Sequence, residues 1–164
     1  MATKKTTIKP VVIRDTREKK GQGWFFGGDA SYWGGTTIST LRTGDYSVEG
    51  LERFVCIERK KSVNEFMGNL FMTWQRFQKE LHRMRKFGMV AIVLEFTADD
   101  VLDWKKDPKV ADELKKKLDT YALISRITEI QIEYPNIHVV YAGNRGREFA
   151  GYLLKKAYQQ YGSS

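Results

Sequence analysis

The sequence predicts an α/β sandwich built on a central mixed β-sheet flanked by helices. Three observations predict it. Short runs rich in β-branched and other apolar residues recur at 11–15, 53–60, 89–96 and 137–142. Longer segments with apolar residues at helical spacing fall between or after them. The resulting order, strand, hairpin, helix, strand, helix, strand, helix, is that of a layered α/β domain.

Residues 1–9 are polar and basic and read as a flexible arm, leaving 10–164 as a single domain, since 164 residues supply one hydrophobic core. Pro10 introduces Val11-Val12-Ile13-Arg14-Asp15, a buried strand. Residues 21–35 are rich in glycine yet carry Trp24, Phe25, Phe26, Tyr32 and Trp33. That aromatic content predicts an ordered loop closing one edge of the core; stacking on bases is the alternative. Residues 36–48 and 53–60 flank a turn at 49–52 and read as an antiparallel hairpin. Ser62 and Glu65 have capping-box spacing. Apolar residues then recur from Val63 through Met84, which predicts one long helix, weakened at Gly68 and ended by Gly88. Residues 89–96 are a buried strand, 111–133 a second long helix, 137–142 a further strand and 149–161 a final helix. Gly143-Asn144-Arg145-Gly146 carries a weak phosphate-cradle pattern and is read as a turn.

Composition narrows the function classes. Hydrophobic residues make up 41% of the chain and aromatics 13%, which excludes general disorder. No apolar run approaches the ~18–20 residues that span a membrane, and the basic, polar start is unlike a secretory signal. An intracellular protein without a membrane partner is expected. One cysteine, Cys56, and two histidines exclude a disulfide scaffold and argue against structural zinc. Lys and Arg number 28 against 20 Asp and Glu, a formal charge of +8, so nucleic acid is the leading partner class. Neither the glycine-rich triphosphate loop nor the serine-hydrolase and zinc-protease motifs occur.

The chemistry concentrates in Thr43-Gly44-Asp45-Tyr46-Ser47 and Ile57-Glu58-Arg59-Lys60. Alternation along a strand puts Glu58 and Lys60 on one face and Arg59 on the other. A hairpin symmetric about Leu51–Glu52 puts Asp45 opposite Glu58. Two such carboxylates repel unless a cation sits between them, and oxygen-only ligands suit Mg²⁺. Lys60 would orient or help deprotonate the attacking water and offset charge on a phosphate. Asp15 ends the first strand with Glu18 just beyond, and both could reach the same sheet edge. The pattern suggests metal-assisted phosphodiester hydrolysis. The plainer alternative makes Asp45 a turn residue and Glu58–Lys60 a solvated strand face.

Over residues 11–96 these segments resemble the nuclease domain of the XPF family, in the restriction-endonuclease-like PD-(D/E)xK superfamily. The resemblance is carried by Ile13-Arg14-Asp15-Thr16-Arg17-Glu18, by Thr43 to Ser47, by Ile57-Glu58-Arg59-Lys60-Lys61-Ser62, by Arg76-Phe77-Gln78-Lys79-Glu80-Leu81 and by Val93-Leu94-Glu95-Phe96. It implies a three-layer restriction-endonuclease-like fold and a divalent-metal-dependent DNA endonuclease, using Mg²⁺ with Mn²⁺ as substitute. It implies Asp45, Glu58 and Asp15 as metal ligands and catalytic residues, with Lys60 as catalytic lysine and Arg59 as the catalytic motif arginine. Arg17, Lys61, Arg76 and Lys79 become candidate DNA contacts, and Glu18 completes the acidic edge. A homodimer through the nuclease domain and a double-stranded or branched DNA substrate, in repair, recombination or replication, are also implied.

Two features depart from the family pattern. An acid is expected four residues after the lysine, where this chain has Asn64, so Asn64→Asp is expected to lower the Mg²⁺ requirement. The sequence also runs only a short way past the expected nuclease domain, so a compact form without a tandem helix-hairpin-helix module, like those of phages or bacteria, is expected. The cytoplasm of a bacterium or of a phage-infected host is the expected setting, or the nucleus if the source is eukaryotic. The alternatives to the enzyme are a catalytically weak or inactive DNA-binding scaffold of the same fold and, more distantly, a nuclease acting on RNA.

Overall fold

The structure, a computed structural model, describes residues 8–162. Residues 1–7 of the expected arm lie outside the described residues. Among the described residues, six strands form one sheet in the order β2-β1-β3-β4-β5-β6. They are β1 (Val11–Asp15), β2 (Gly35–Ser39), β3 (Tyr46–Val48), β4 (Val55–Lys60), β5 (Met89–Leu94) and β6 (Ile137–Tyr141). β3 runs antiparallel to both β1 and β4, and the other neighbours are parallel, so the sheet is mixed as predicted.

Alternation along the strands gives each face its own core. On one face Cys56, Val90, Ile92 and Leu94 pack against α1 (Val63–Met67), α2 (Trp74–Met84) and α5 (Ala122–Glu133). On the other, Val12, Tyr46, Ile57, Ala91 and Val93 meet Trp24, Phe26 and Trp33 and the small-residue face of α6 (Gly146–Tyr161), with Ala150, Leu154 and Ala157. The aromatic loop thus closes a core edge, and Trp24 stacks on Tyr46 at 5.0 Å between ring centroids.

Three predicted elements are redrawn. The segment 36–48 is not one hairpin arm. Its first part is β2, parallel to β1, and only Tyr46–Val48 pairs with β4. The division falls where the Leu41 N–H turns to donate to the buried Asp15 carboxylate at 2.6 Å. The long helix is interrupted: after α1 the chain widens into a π-helical turn over Gly68–Met72 and leaves helical geometry at Thr73 (φ −120°, ψ 35°). Thr73 satisfies itself there, donating its N–H to Gly68 O at 2.9 Å. The apolar period survives because α1 and α2 put the same stripe on the sheet. The helix expected over 111–133 is likewise two, α4 (Asp112–Lys117) and α5, parted where Leu118 is extended (φ −107°, ψ 146°). A short helix before them, α3 (Ala98–Leu102), opens with a full Thr97/Asp100 capping box. α6 begins at Gly146, three residues earlier than expected. Among the described residues, no helix is long and apolar enough to cross a membrane.

Candidate active site

The site is built where β1, β3 and β4 reach one end of the sheet. Gly44 has φ +81°, a region open to glycine, and a Cβ there would collide with Cys56 Sγ and crowd the Ile57 carbonyl. That turn seats Asp45 between two strands. Its N–H donates to Ile57 O at 2.8 Å, and its carbonyl accepts from Asp15 N–H at 2.8 Å. Its carboxylate then takes the place of a backbone acceptor, receiving the Arg59 N–H on Oδ2 at 2.7 Å. Tyr46 pairs with Ile57, so the next positions along the ladder are Asp45 and Glu58.

Glu58 and Lys60 share the α2 face of β4. Lys60 Nζ donates to Glu58 Oε1 at 2.8 Å and stands over the Phe77 ring, 5.0 Å from its centroid. Both are buried. Burial, and secondarily the charge of Glu58, push the Asp45 carboxyl up to about 8. Burial also pushes Glu58 upward, against the pull of Lys60. Burial works to lower the Lys60 ammonium, but the adjoining Glu58 carboxylate outweighs it and the net direction is up. Two desolvated carboxylates therefore compete for one cation.

Two small clefts meet at Glu58 and Glu80. One, of about 120 Å³, is lined by Asp45, Glu58, Glu80, Arg17, Arg42 and Arg83 among others. The second, of about 230 Å³, is lined by Glu58, Lys60, Glu65, Asn69, Arg76 and Glu80 among others. Among the described residues, no group of three or more His, Cys, Asp and Glu side chains is placed to hold a metal ion.

The remaining sequence candidates divide by location. Asp15 is fully buried, and its carboxylate accepts from Arg17 N–H at 2.9 Å, Arg17 Nε at 2.6 Å and Leu41 N–H at 2.6 Å. Burial works to raise its pKa, but these bonds and the Arg17 charge win and hold it low. Its oxygens are committed to N–H donors and it lines neither cleft, so the expected role of Asp15 as a metal ligand and catalytic residue gives way to a structural one. It holds Arg17, which does face the first cleft and also donates to Leu41 O at 3.0 Å.

Arg59 lies on the opposite face of the sheet from Glu58 and Lys60. Its guanidinium bonds Glu18 and Glu95, each at 2.8 Å, donates to Gln22 O at 2.6 Å, and stacks over Trp24 at 4.6 Å. Glu18 also accepts from Tyr46 OH at 3.0 Å and lies 3.6 Å from Lys61 Nζ. Glu18, Arg59 and Lys61 thus form a brace behind the cleft; only the Arg59 backbone reaches Asp45. Arg76 is exposed and lines the second cleft, whereas Lys79 lines neither. Asn64 is exposed on α1 and also lines neither; the amide at the second cleft belongs to Asn69. The Ser62–Glu65 capping box forms by half: Ser62 Oγ accepts from Glu65 N–H at 3.2 Å, while the Glu65 carboxylate reaches Lys61 N–H at 3.0 Å.

Glu80, Arg83, Arg42 and Asn69 are site residues that sequence reasoning passed over. The signal for the α2 pair was present: Arg76, Glu80 and Arg83 form a charged stripe beside the buried stripe Phe77, Leu81, Met84. Asn69 had no such signal, because the π turn that aims it breaks the helical period.

No protein-family model matches the chain, and no curated protein matches its sequence. Solved structures do match. XPF from Aeropyrum pernix superimposes with a TM-score of 0.59 at 17% identity, over 94% of this chain and 64% of that one. XPF from Aeropyrum pernix in complex with DNA gives a TM-score of 0.57 at 18% identity, over 92% and 66%. The chain spans just under two thirds of the length of either. With a mixed six-stranded sheet between two helical layers, this chain has the XPF-like, restriction-endonuclease-like fold.

Proposed function

We propose that the chain is a divalent-metal-dependent DNA endonuclease that hydrolyses phosphodiester bonds in double-stranded or branched DNA. The observation that carries this reading is the cross-strand pair Asp45 and Glu58, both driven toward the protonated state by burial and both facing one cleft beside Lys60. The fold shared with an XPF chain described in complex with DNA supports it, as does the formal charge of +8.

The donor set fits a hard cation. Asp45 Oδ2 is tied to Arg59 N–H and Glu58 Oε1 to Lys60, and among the described residues the other oxygen of each carries no hydrogen bond. A pair of carboxylates suits Mg²⁺, with Mn²⁺ as substitute, because such ions keep several waters and share the substrate phosphate. Asp45 and Glu58 would hold the ion, which when bound supplies charge neutralisation and Lewis-acid polarisation of the phosphate. Lys60 then donates hydrogen bonds to a phosphate oxygen as negative charge grows there, and Phe77 beneath it limits the ammonium's range. Arg17, held by Asp15, and Arg76 place positive charge on either side of the cleft.

The test is incubation with plasmid, duplex, flap and fork DNA, with Mg²⁺ or Mn²⁺ and with EDTA. Cleavage that EDTA abolishes is expected, and Asp45→Asn and Glu58→Gln each remove most of it while the fold is kept. Lys60→Ala lowers turnover more than DNA affinity. Robust cleavage in EDTA, or full activity in both carboxylate variants, overturns the reading. The absence of a third metal-binding side chain among the described residues favours a second reading, a DNA-binding scaffold that does not cut. Metal-independent binding with no cleavage in either metal would decide for it.

A further inference from the structure

Next to the Asp45–Glu58 cleft lies a larger groove of about 560 Å³. Thr43, Arg42 and Arg83 line both, so the two spaces adjoin. The groove has an apolar floor of Ile13, Leu41 and Phe87. Around it stand Arg42, Arg53, Arg83 and Lys86, with Glu52 the one carboxylate among its lining residues. All four cations are exposed, and among the described residues none takes part in an ion pair. By contrast, three cations around the candidate site are paired: Arg17 with Asp15, Arg59 with Glu18 and Glu95, Lys60 with Glu58. Four unneutralised cations around one groove repel one another and attract a polyanion.

An independent observation lies at the junction. Thr43 is 6% exposed, and its Oγ1 is buried with no hydrogen-bond partner among the described residues. A buried hydroxyl without a partner is unfavourable, so one on a residue lining both spaces calls for an acceptor that a bound ligand can bring.

The geometry points to this groove as the track of the DNA strand adjoining the scissile phosphate, with Thr43, Arg42 and Arg83 holding the next phosphate, Arg53 and Lys86 the one beyond, and the apolar floor carrying the sugars. The inference deepens the proposed function and rests on its assignment of DNA as the substrate. Contacts of this kind fix position along the backbone without reading sequence.

The experiment measures binding of a short fluorescent DNA duplex by anisotropy across a salt series in EDTA. Arg53→Gln/Lys86→Gln is compared with Lys116→Gln/Lys117→Gln, which removes the same charge from α4, outside the groove. Each phosphate contact contributes about 0.9 to the slope of log affinity against log salt, so the groove variant should lose about 2 and the α4 variant far less. Thr43→Val, nearly isosteric, should weaken DNA binding severalfold without lowering thermal stability. A wild-type slope in the groove variant, or equal losses in both double variants, overturns the groove. Wild-type protein that binds with a steep slope but never cuts removes the nuclease reading and leaves the groove standing. Wild-type protein that does not bind the duplex overturns both.

Discussion

Asp45→Asn should make the metal-free protein more stable while removing its activity, and the gain should depend on pH. In the folded chain the Asp45 carboxyl is pushed up to about 8 by burial and by Glu58, from an ordinary 3.8. A group that holds its proton more tightly when folded favours folding while protonated. That contribution is complete below about pH 4, declines as the pH rises, and is gone above about pH 8. At about 1.4 kcal/mol per pH unit, the span sets an upper limit of about 5–6 kcal/mol. The proton is shared with Glu58 and water enters the cleft, so about 1–3 kcal/mol is the expected gain. The amide oxygen of the introduced asparagine still accepts the Arg59 N–H, so the turn is kept. Urea unfolding in EDTA should show the two proteins matching near pH 4 and the variant pulling ahead up to about pH 8. Mg²⁺ should then raise the stability of the wild type and not of the variant. A wild type more stable than the variant at about pH 8 in EDTA, or parallel curves across the range, would refute the electrostatic account.

Arg59→Lys should cost about 2–4 kcal/mol in urea unfolding, because a lysine cannot span Glu18 and Glu95 together, while the Mg²⁺ concentration for half-maximal cleavage stays the same. Asn64→Asp should leave that Mg²⁺ requirement unchanged, since the side chain is exposed and lines neither cleft; a severalfold fall would restore the expectation drawn from the sequence. Asp15→Asn should lose about 2–3 kcal/mol at neutral pH, as one amide edge presents N–H groups to N–H donors. The Asp15 carboxyl is held low in the folded state, so its contribution is present above its unfolded value of 3.8 and lost as pH falls through the folded one. Unfolding curves of wild type and variant that stay apart in strong acid would contradict this.

The sequence was most informative where a short period governs structure. Alternation over Val55–Lys60 separated Glu58 and Lys60 from Arg59, and symmetry about the 51–52 turn placed Asp45 opposite Glu58. What stayed hidden depended on side chains acting as backbone. Asp15 accepts the N–H that ends β2's continuation, and Asp45 accepts the N–H of Arg59, so neither segment prolongs the expected hairpin. The split helices were hidden for a different reason. A π turn at Gly68–Met72 and an extended Leu118 keep the apolar side chains on the core, so the hydrophobic period runs on across both breaks. Glu80 was hidden by distance: 22 positions separate it from Glu58, and only the packing of α2 on β4 joins them at one cleft.

The alternation along β4 also constrains how this chain can vary in length. Glu58, Arg59 and Lys60 are consecutive, yet they serve opposite sides of the sheet. A substitution at one of them touches one side. An insertion or deletion of a single residue between Val55 and Glu58 reverses parity for everything after it. The guanidinium would then enter the cleft where the lysine stood, and the acid and the lysine would be driven against Trp24 and Glu95. No single point change could repair that exchange. This strand can therefore change residue by residue but not in length, whereas the exposed Gly28–Ala30 tip of the aromatic loop can lengthen without moving a single group at the cleft.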